Sequence, residues 1–341
     1  KAIDHAIKNE NLEMIEYLYN IYYEKYKNNY CFNSRVINEA IIVGNLQIIQ
    51  WLHIRCNYFS HKEIYYAAKH GHLDILKWLH ENRSAENFSI LPNIIITNYE
   101  LNKNRTIVFA AESGVLDIVK YLYKYQEYSL IILQETINAA SKNGHIDIIV
   151  YLYTSYNNKQ LFRKCSITYA AEGGHLNIIK FIHNNTFNEG IQTCNRNAID
   201  LAALNGHLHI VEWLSKNRYE GCSVNAIYNA CKRGHLNIVK WLTINKPELN
   251  CGTKAMDFAA LNGHIEIVKW LHYNRNEGCS IKALTTAVGK GYLPIAHFIY
   301  KNYSNNCLPY TMDTTAMNGH LHTLIWLHIY GNIGCSTDAM D

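Results

Sequence analysis

Eleven times along this chain the same frame returns, centred on a turn residue that is glycine in all copies but the first. Its clearest copy, Ala198 to Leu214, reads Ala-Ile-Asp-Leu-Ala-Ala-Leu-Asn-Gly-His-Leu-His-Ile-Val-Glu-Trp-Leu. Set on Gly206, the frame recurs at Glu10, where Glu stands for the glycine, and at Gly44, Gly71, Gly114, Gly144, Gly174, Gly234, Gly263, Gly291 and Gly319. A unit this short cannot bury a core by itself, so the copies must stack, each covering its neighbour. A chain of 341 residues would otherwise suggest two or three domains; the repeat makes it one array over 1–341.

Stacking the copies shows what each unit is. Seven residues before the turn sits Ile3, Ile37, Ile64, Ile107, Ile137, Ile167, Ile199, Ile227, Met256, Leu284 or Met312, all apolar. Four before it sits Ala in ten copies, from Ala6 to Ala287, and Thr315 in the last. Apolar and small residues three apart describe a short helix that neighbours approach closely. After the glycine a denser apolar pattern, Leu208, Ile210, Val211, Trp213 and Leu214 in the clearest copy, predicts a second, largely buried helix. The glycine between them suits a left-handed C-cap. The expected fold is therefore all-α: an α-solenoid of about eleven helix-turn-helix units.

These pairs are expected near 2–19, 36–53, 63–80, 106–123, 135–153, 166–183, 198–215, 226–243, 255–272, 283–300 and 311–328, with a further repeat starting at 336–341. From Gly206 onward the spacing is 28, 29, 28 and 28 residues; before it, intervals of 34 and 43 mark insertions at about 19–35 and at 83–105. The second holds Ile90-Leu91-Pro92-Asn93-Ile94-Ile95-Ile96, too apolar for a solvated loop, and is expected to fold back on the array or to meet a partner. Because the chain opens and stops inside repeats, it reads as part of a longer protein. In the regular half Cys194, Cys222, Cys251, Cys279, Cys307 and Cys335 share one frame, and Asn195, Ser223, Gly252, Ser280, Leu308 and Ser336 follow them as caps of the next first helix.

The run Ala-Ala-x-x-Gly-His-x-x-Ile-Val-Lys-Trp-Leu, as at Ala259 to Leu271, resembles the ankyrin repeat, whose first helix ends in Ala-Ala and whose second opens with Gly-His-Leu. The resemblance covers nearly the whole chain. It departs in two respects: Asn225-Ala226-Ile227-Tyr228 replaces the family's Thr-Pro-Leu-His opening, and the period of about 28 falls short of the family's 33. The β-hairpin fingers are therefore expected to be shortened or absent. Short, Trp-containing copies are similar to arrays encoded by giant DNA viruses of amoebae and by amoebae, which would place the protein in a host cytoplasm if viral.

Several residues tempt a chemical reading. His72, His145, His175, His207, His235, His264 and His320 follow the glycine, one per repeat. Helices of successive repeats stand about 8 to 10 Å apart, whereas zinc ligands lie at about 2 Å, so this ladder does not converge on a metal; capping and hydrogen bonding between repeats are expected. The same spacing argues against disulfides between the phased cysteines, which read as reduced thiols of an intracellular, cytoplasmic protein. Trp51, Trp78, Trp213, Trp241, Trp270 and Trp326 stand seven after the glycine, a ladder expected to pack between repeats. Asp74 with Lys77, Asp117 with Lys120 and Glu266 with Lys269 are i,i+3 pairs of a solvated helix face.

No phosphate loop, nucleophile elbow, zinc-protease or kinase signature occurs, so no catalytic residue, cofactor or metal is expected, and the chain reads as no enzyme. A net charge of +4 does not imply nucleic acid, and no run of about 18 apolar residues implies a membrane span. What varies between copies is the outer face of helix one, six, two and one residues before the glycine. There Tyr65, Lys69, Asn138, Lys142, Asp200, Asn205, Tyr228, Lys232, Arg233 and Asp257 form the candidate partner-binding face. The resemblance puts that face on the concave side and implies a non-enzymatic scaffold for a protein partner. The alternative is the substrate-recruiting part of a ubiquitin-ligase adaptor, or of an enzyme, whose other domain lies outside this chain.

Overall fold

The turn glycines end the first helix of each pair, and the helices follow the sequence frame closely. The computed structural model describes residues 2–25, 34–55, 62–83, 96–125, 127–162, 166–187, 191–303 and 310–330. Among them every regular element is a helix, and the chain divides into two units, Lys1–Arg163 and Lys164–Asp341.

In the first unit the pairs are α1 (Ala2–Lys8) with α2 (Leu12–Lys25), α3 (Ser34–Val43) with α4 (Leu46–Arg55), and α5 (Lys62–His70) with α6 (Leu73–Arg83). Then come α7 (Ile96–Ser113) with α8 (Leu116–Tyr125), and α9 (Leu130–Asn143) with α10 (Ile146–Tyr156), before a short 3-10 turn at Lys159–Phe162. The second unit holds α11 (Ser166–Gly173) with α12 (Leu176–Thr186), α13 (Asn197–Leu204) with α14 (Leu208–Asn217), and α15 (Asn225–Arg233) with α16 (Leu236–Asn245). It continues with α17 (Lys254–Leu261) and α18 (Ile265–Asn274), α19 (Ile281–Gly289) and α20 (Leu293–Tyr303), and α21 (Thr311–Met317) and α22 (Leu321–Tyr330). Within each unit first helices stack on first helices, as α13 on α15 and α15 on α17, and each packs on its own second helix.

The small residue in the frame makes this stacking possible. Ala40, Ala67, Ala110, Ala140, Ala170, Ala202, Ala230, Ala259 and Ala287 are fully buried where first helices meet. Thr315 fits the same slot because its hydroxyl donates to the Thr311 carbonyl, at 2.6 Å, and leaves no unpaired polar group. The apolar residue three positions earlier is buried throughout except in α5, where Ile64 is half-buried and Glu63 takes the inner place.

The turn is a Schellman close. The ten glycines have φ between +72° and +91°, and Glu10 takes the same left-handed region at +53°. At Gly206 the following N–H, that of His207, donates to the Ala202 carbonyl at 2.9 Å. A second demand falls on the same glycine from the next repeat. A Cβ on Gly206 would lie 2.8 Å from His235 Cε1, and one on Gly234 2.7 Å from His264 Cε1. His235 Nε2 reaches the Leu204 carbonyl at 3.1 Å, and His264 Nε2 the Lys232 carbonyl at 3.3 Å. A carbonyl only accepts, so Nε2 carries the proton. His72, His145, His235 and His264 thus bond their repeats to the preceding ones, as expected. The expected capping fails: His207, His235 and His264 stand at the N-cap without a side-chain cap bond.

Three other expectations change. Segment 19–35 is not all insertion, because α2 runs to Lys25; residues 26–33 lie outside the described ones. Segment 83–105 is not all loop: Arg83 closes α6 and Ile96 already opens α7. Its apolar stretch up to Ile95 lies outside the described residues, and so does the proposed further repeat at 336–341. The tryptophans do lie between repeats, yet mostly as half-buried edges rather than core. Trp213 meets His183 edge-on at 5.2 Å, and Trp326, 8% exposed, meets Tyr300 at 5.4 Å.

No strand occurs among the described residues, and an ion pair occupies the place of a finger. Arg275 grips Glu277 at 2.6 Å and donates to the Leu249 carbonyl of the preceding segment, also at 2.6 Å; Cys251 donates its S–H to Glu277 at 3.4 Å. Arg218 and Glu220 repeat the pair two segments earlier in the run Asn-Arg-x-Glu-Gly-Cys-Ser, which appears at 217–223 and again at 274–280. Cys194, Cys222, Cys231, Cys251 and Cys279 are free thiols.

Candidate partner-binding face

The outer positions of the first helices do not form one class. In α11, α13, α15 and α17 the side chain six before the glycine reaches forward to the turn that starts the next first helix. Asp200 accepts from the Ser223 N–H at 3.0 Å and from the Ser223 hydroxyl; Asp257 accepts from the Ser280 N–H and hydroxyl, both at 2.8 Å. Ser280 caps α19 in turn, its Oγ accepting from the Lys282 N–H, while Ser223, one residue before the Val224 N-cap of α15, accepts from the Asn225 N–H. In the intervening repeat the turn residue is Gly252, with no hydroxyl to offer, and Tyr228 instead donates its own hydroxyl to the Cys251 carbonyl at 2.8 Å. Thr168 makes the equivalent contact with Asn195 at 3.3 Å.

Position six is therefore not left free by the repeat, and the structure corrects that premise. Asp200 is only 4% exposed. Burial pushes its carboxyl above the usual aspartate range, while the Ser223 hydrogen bonds pull it back down. Removing the carboxylate strands the Ser223 donors. Asp200→Ala is expected to cost about 1–3 kcal/mol, the usual penalty for unpaired buried donors. Urea unfolding of Asp200→Ala, Ser223→Ala and the double variant checks this, and strictly additive losses would show that no clasp exists.

Five before the glycine lies a position that the sequence reasoning passed over. Asn229 donates from Nδ2 to the Asp200 carbonyl at 3.1 Å, and the Phe258 ring meets Tyr228 edge-on at 5.7 Å. In the first unit the Phe109 ring meets Tyr65 likewise at 4.4 Å. Each of these side chains packs on position six of the preceding repeat. The signal was available as the aromatic and apolar series Tyr66, Phe109, Tyr169, Leu201 and Phe258.

The ten candidate residues accordingly separate. Asp200, Asp257 and Tyr228 hold the array together, and Tyr65 is half-buried against Phe109 with the Lys69 ammonium 5.6 Å above its ring. Asn138 is half-buried in α9. Asn205 is exposed but spends its amide on the Glu172 carbonyl of the preceding repeat, at 2.8 Å. Lys69, Lys142, Lys232 and Arg233 project from the C-terminal turns of α5, α9 and α15 and are exposed. Among the described residues no group of three or more His, Cys, Asp or Glu side chains comes together to hold a metal, and no helix is long and apolar enough to cross a membrane.

Paired helices closed by glycine and stacked first helix on first helix define a repeat scaffold. The family model for ankyrin repeats in three copies matches residues 136–228 and 227–313, together more than half of the chain, and the chain belongs to the ankyrin repeat family. Arrays of this family are generally protein–protein interaction modules and typically not enzymes. No curated protein matches the chain.

Proposed function

We propose that this chain is a non-enzymatic scaffold that binds a partner protein on the exposed faces of its first helices. The observation that supports the reading is the division of labour within one helix. In α15 Ala226, Ile227, Ala230 and Cys231 are buried, Tyr228 bonds the next repeat and the Lys232 carbonyl accepts from His264, while the Lys232 and Arg233 side chains stand exposed. Lys69 and Lys142 stand exposed two before the glycine in the first unit, Lys69 with its ammonium over the Tyr65 ring. Charged and aromatic anchors on a rigid surface are what protein interfaces use.

Photo-crosslinking tests it. Benzoylphenylalanine placed at Lys142, Lys232 or Arg233 is expected to trap partner protein, and the same group at Glu212 or Lys180 on second helices is expected to trap little. Capture from the second-helix sites alone would overturn the proposal.

A further inference from the structure

We infer that the second unit selects an extended segment carrying an acidic residue with an apolar residue about three positions to either side, centred on α15. The inference rests on the first-helix face proposed above and specifies what that face recognises there.

Three neighbouring helices supply the pattern. At its C-terminal end α15 presents the two adjacent cations, Lys232 and Arg233, both exposed. Among the described residues neither side chain enters an ion pair. The aspartates on the adjacent helices point elsewhere: the Asp200 and Asp257 carboxylates accept from Ser223 and Ser280 and form no ion pair with either cation. Two before the glycine, where α15 has Lys232, α13 carries Leu204 and α17 carries Leu261; one turn earlier stand Leu201 and Phe258, and all four are half-buried. A cationic centre is thus flanked by two apolar helices.

A helix C-terminus favours cations through its dipole, but that does not account for the contrast. The same positions of α13 and α17 end their helices equally and hold Leu and Asn instead: Leu204 and Asn205, Leu261 and Asn262. Stacked helices lie about 8 to 10 Å apart and an extended chain advances about 3.3 Å per residue, so one helix spacing corresponds to about three residues of ligand. An acidic group over Lys232 and Arg233 then places its third neighbours over the leucine pair of α13 and over Phe258 and Leu261.

A phage-displayed library of random dodecapeptides, selected in parallel on the whole wild-type chain and on Lys232→Glu/Arg233→Glu, tests this. Both substituted residues are exposed, and melting curves verify that the variant folds as wild type does. The wild type is expected to enrich peptides with an acidic residue between two apolar ones at the stated spacing. The charge-reversed chain is expected to bind the best of them about tenfold more weakly by fluorescence anisotropy and to enrich basic centres instead. Peptides that lose binding on Leu204→Ser/Leu261→Ser yet carry no acidic centre would overturn this inference and leave the first-helix face standing. Peptides insensitive to every first-helix change would overturn both, and an absence of enrichment would overturn the inference. Tight binding of a short oligothymidylate that is lost on charge reversal would show that the cations read phosphate, and would overturn it as well.

Discussion

Gly206→Ala is expected to destabilise the second unit by about 2–4 kcal/mol, because one methyl group violates two independent demands. The first is conformational: φ at Gly206 is +84°, a region where a β-carbon crowds the backbone and costs about 1–2 kcal/mol. The second comes from the next repeat, whose His235 ring sits where the methyl would go, 2.8 Å away at Cε1. Relieving the clash moves the imidazole off the Leu204 carbonyl, and the repeat-to-repeat hydrogen bond is lost. The two costs separate in a second background. With His235→Ala already present, Gly206→Ala should lose only the conformational part, and urea unfolding of the four combinations measures the difference. An equal cost in both backgrounds would mean that the ring does not press on the glycine. Glu10 shows that the backbone demand alone is tolerable, since it holds a φ of +53° without glycine.

Arg275→Ala is expected to cost about 1–3 kcal/mol, since it breaks a half-buried, multiply hydrogen-bonded ion pair and leaves the Leu249 carbonyl without its donor. The guanidinium joins two successive inter-repeat segments, holding Glu277 in its own and the Leu249 carbonyl in the one before. Removing both ends should hurt less than removing one, so Arg275→Ala/Glu277→Ala is expected to recover part of the loss. The pair also sets a pH signature. The hydrogen bonds from Arg275 hold the Glu277 carboxyl below its ordinary value of 4.5, burial opposing them. A depressed folded value means that the unfolded chain takes up the proton first. The stabilisation is therefore fully present above 4.5 and is lost as pH falls below it towards the folded value. Acid unfolding of wild type and Arg275→Ala should converge as pH falls, and parallel curves would contradict the assignment.

What was legible in the sequence followed from local rules. A glycine that must be left-handed, an alanine that must be small and an isoleucine that must be buried each announce themselves within one helical turn. Ile227, Ala230 and Gly234 were placed correctly for that reason. Interactions between repeats were harder, because Asp200 and Ser223 lie a whole repeat apart and Asp200 looked like an ordinary polar surface residue. A trace of the clasp exists within the single chain: Asp200 is followed by Ser223, Asp257 by Ser280 and Asp313 by Ser336 at the same separation, whereas the copy with Tyr228 has Gly252 in place of the serine. Histidine was easier, since its one-per-repeat phase pointed to bonding between repeats. Its ring position over the preceding glycine needed coordinates, because nothing in the sequence says which way the imidazole leans.

The central claim is that recurrent positions build the scaffold while the exposed ends of the first helices bind. Its most direct measurement pairs stability with binding on one variant, Lys232→Glu/Arg233→Glu. Stability in urea unfolding is expected to fall by no more than about 1–2 kcal/mol, the helix-dipole cost of reversing two charges at a C-terminus, while affinity for the selected acidic peptide falls about tenfold. A variant that loses more stability than this and keeps its affinity would contradict the account.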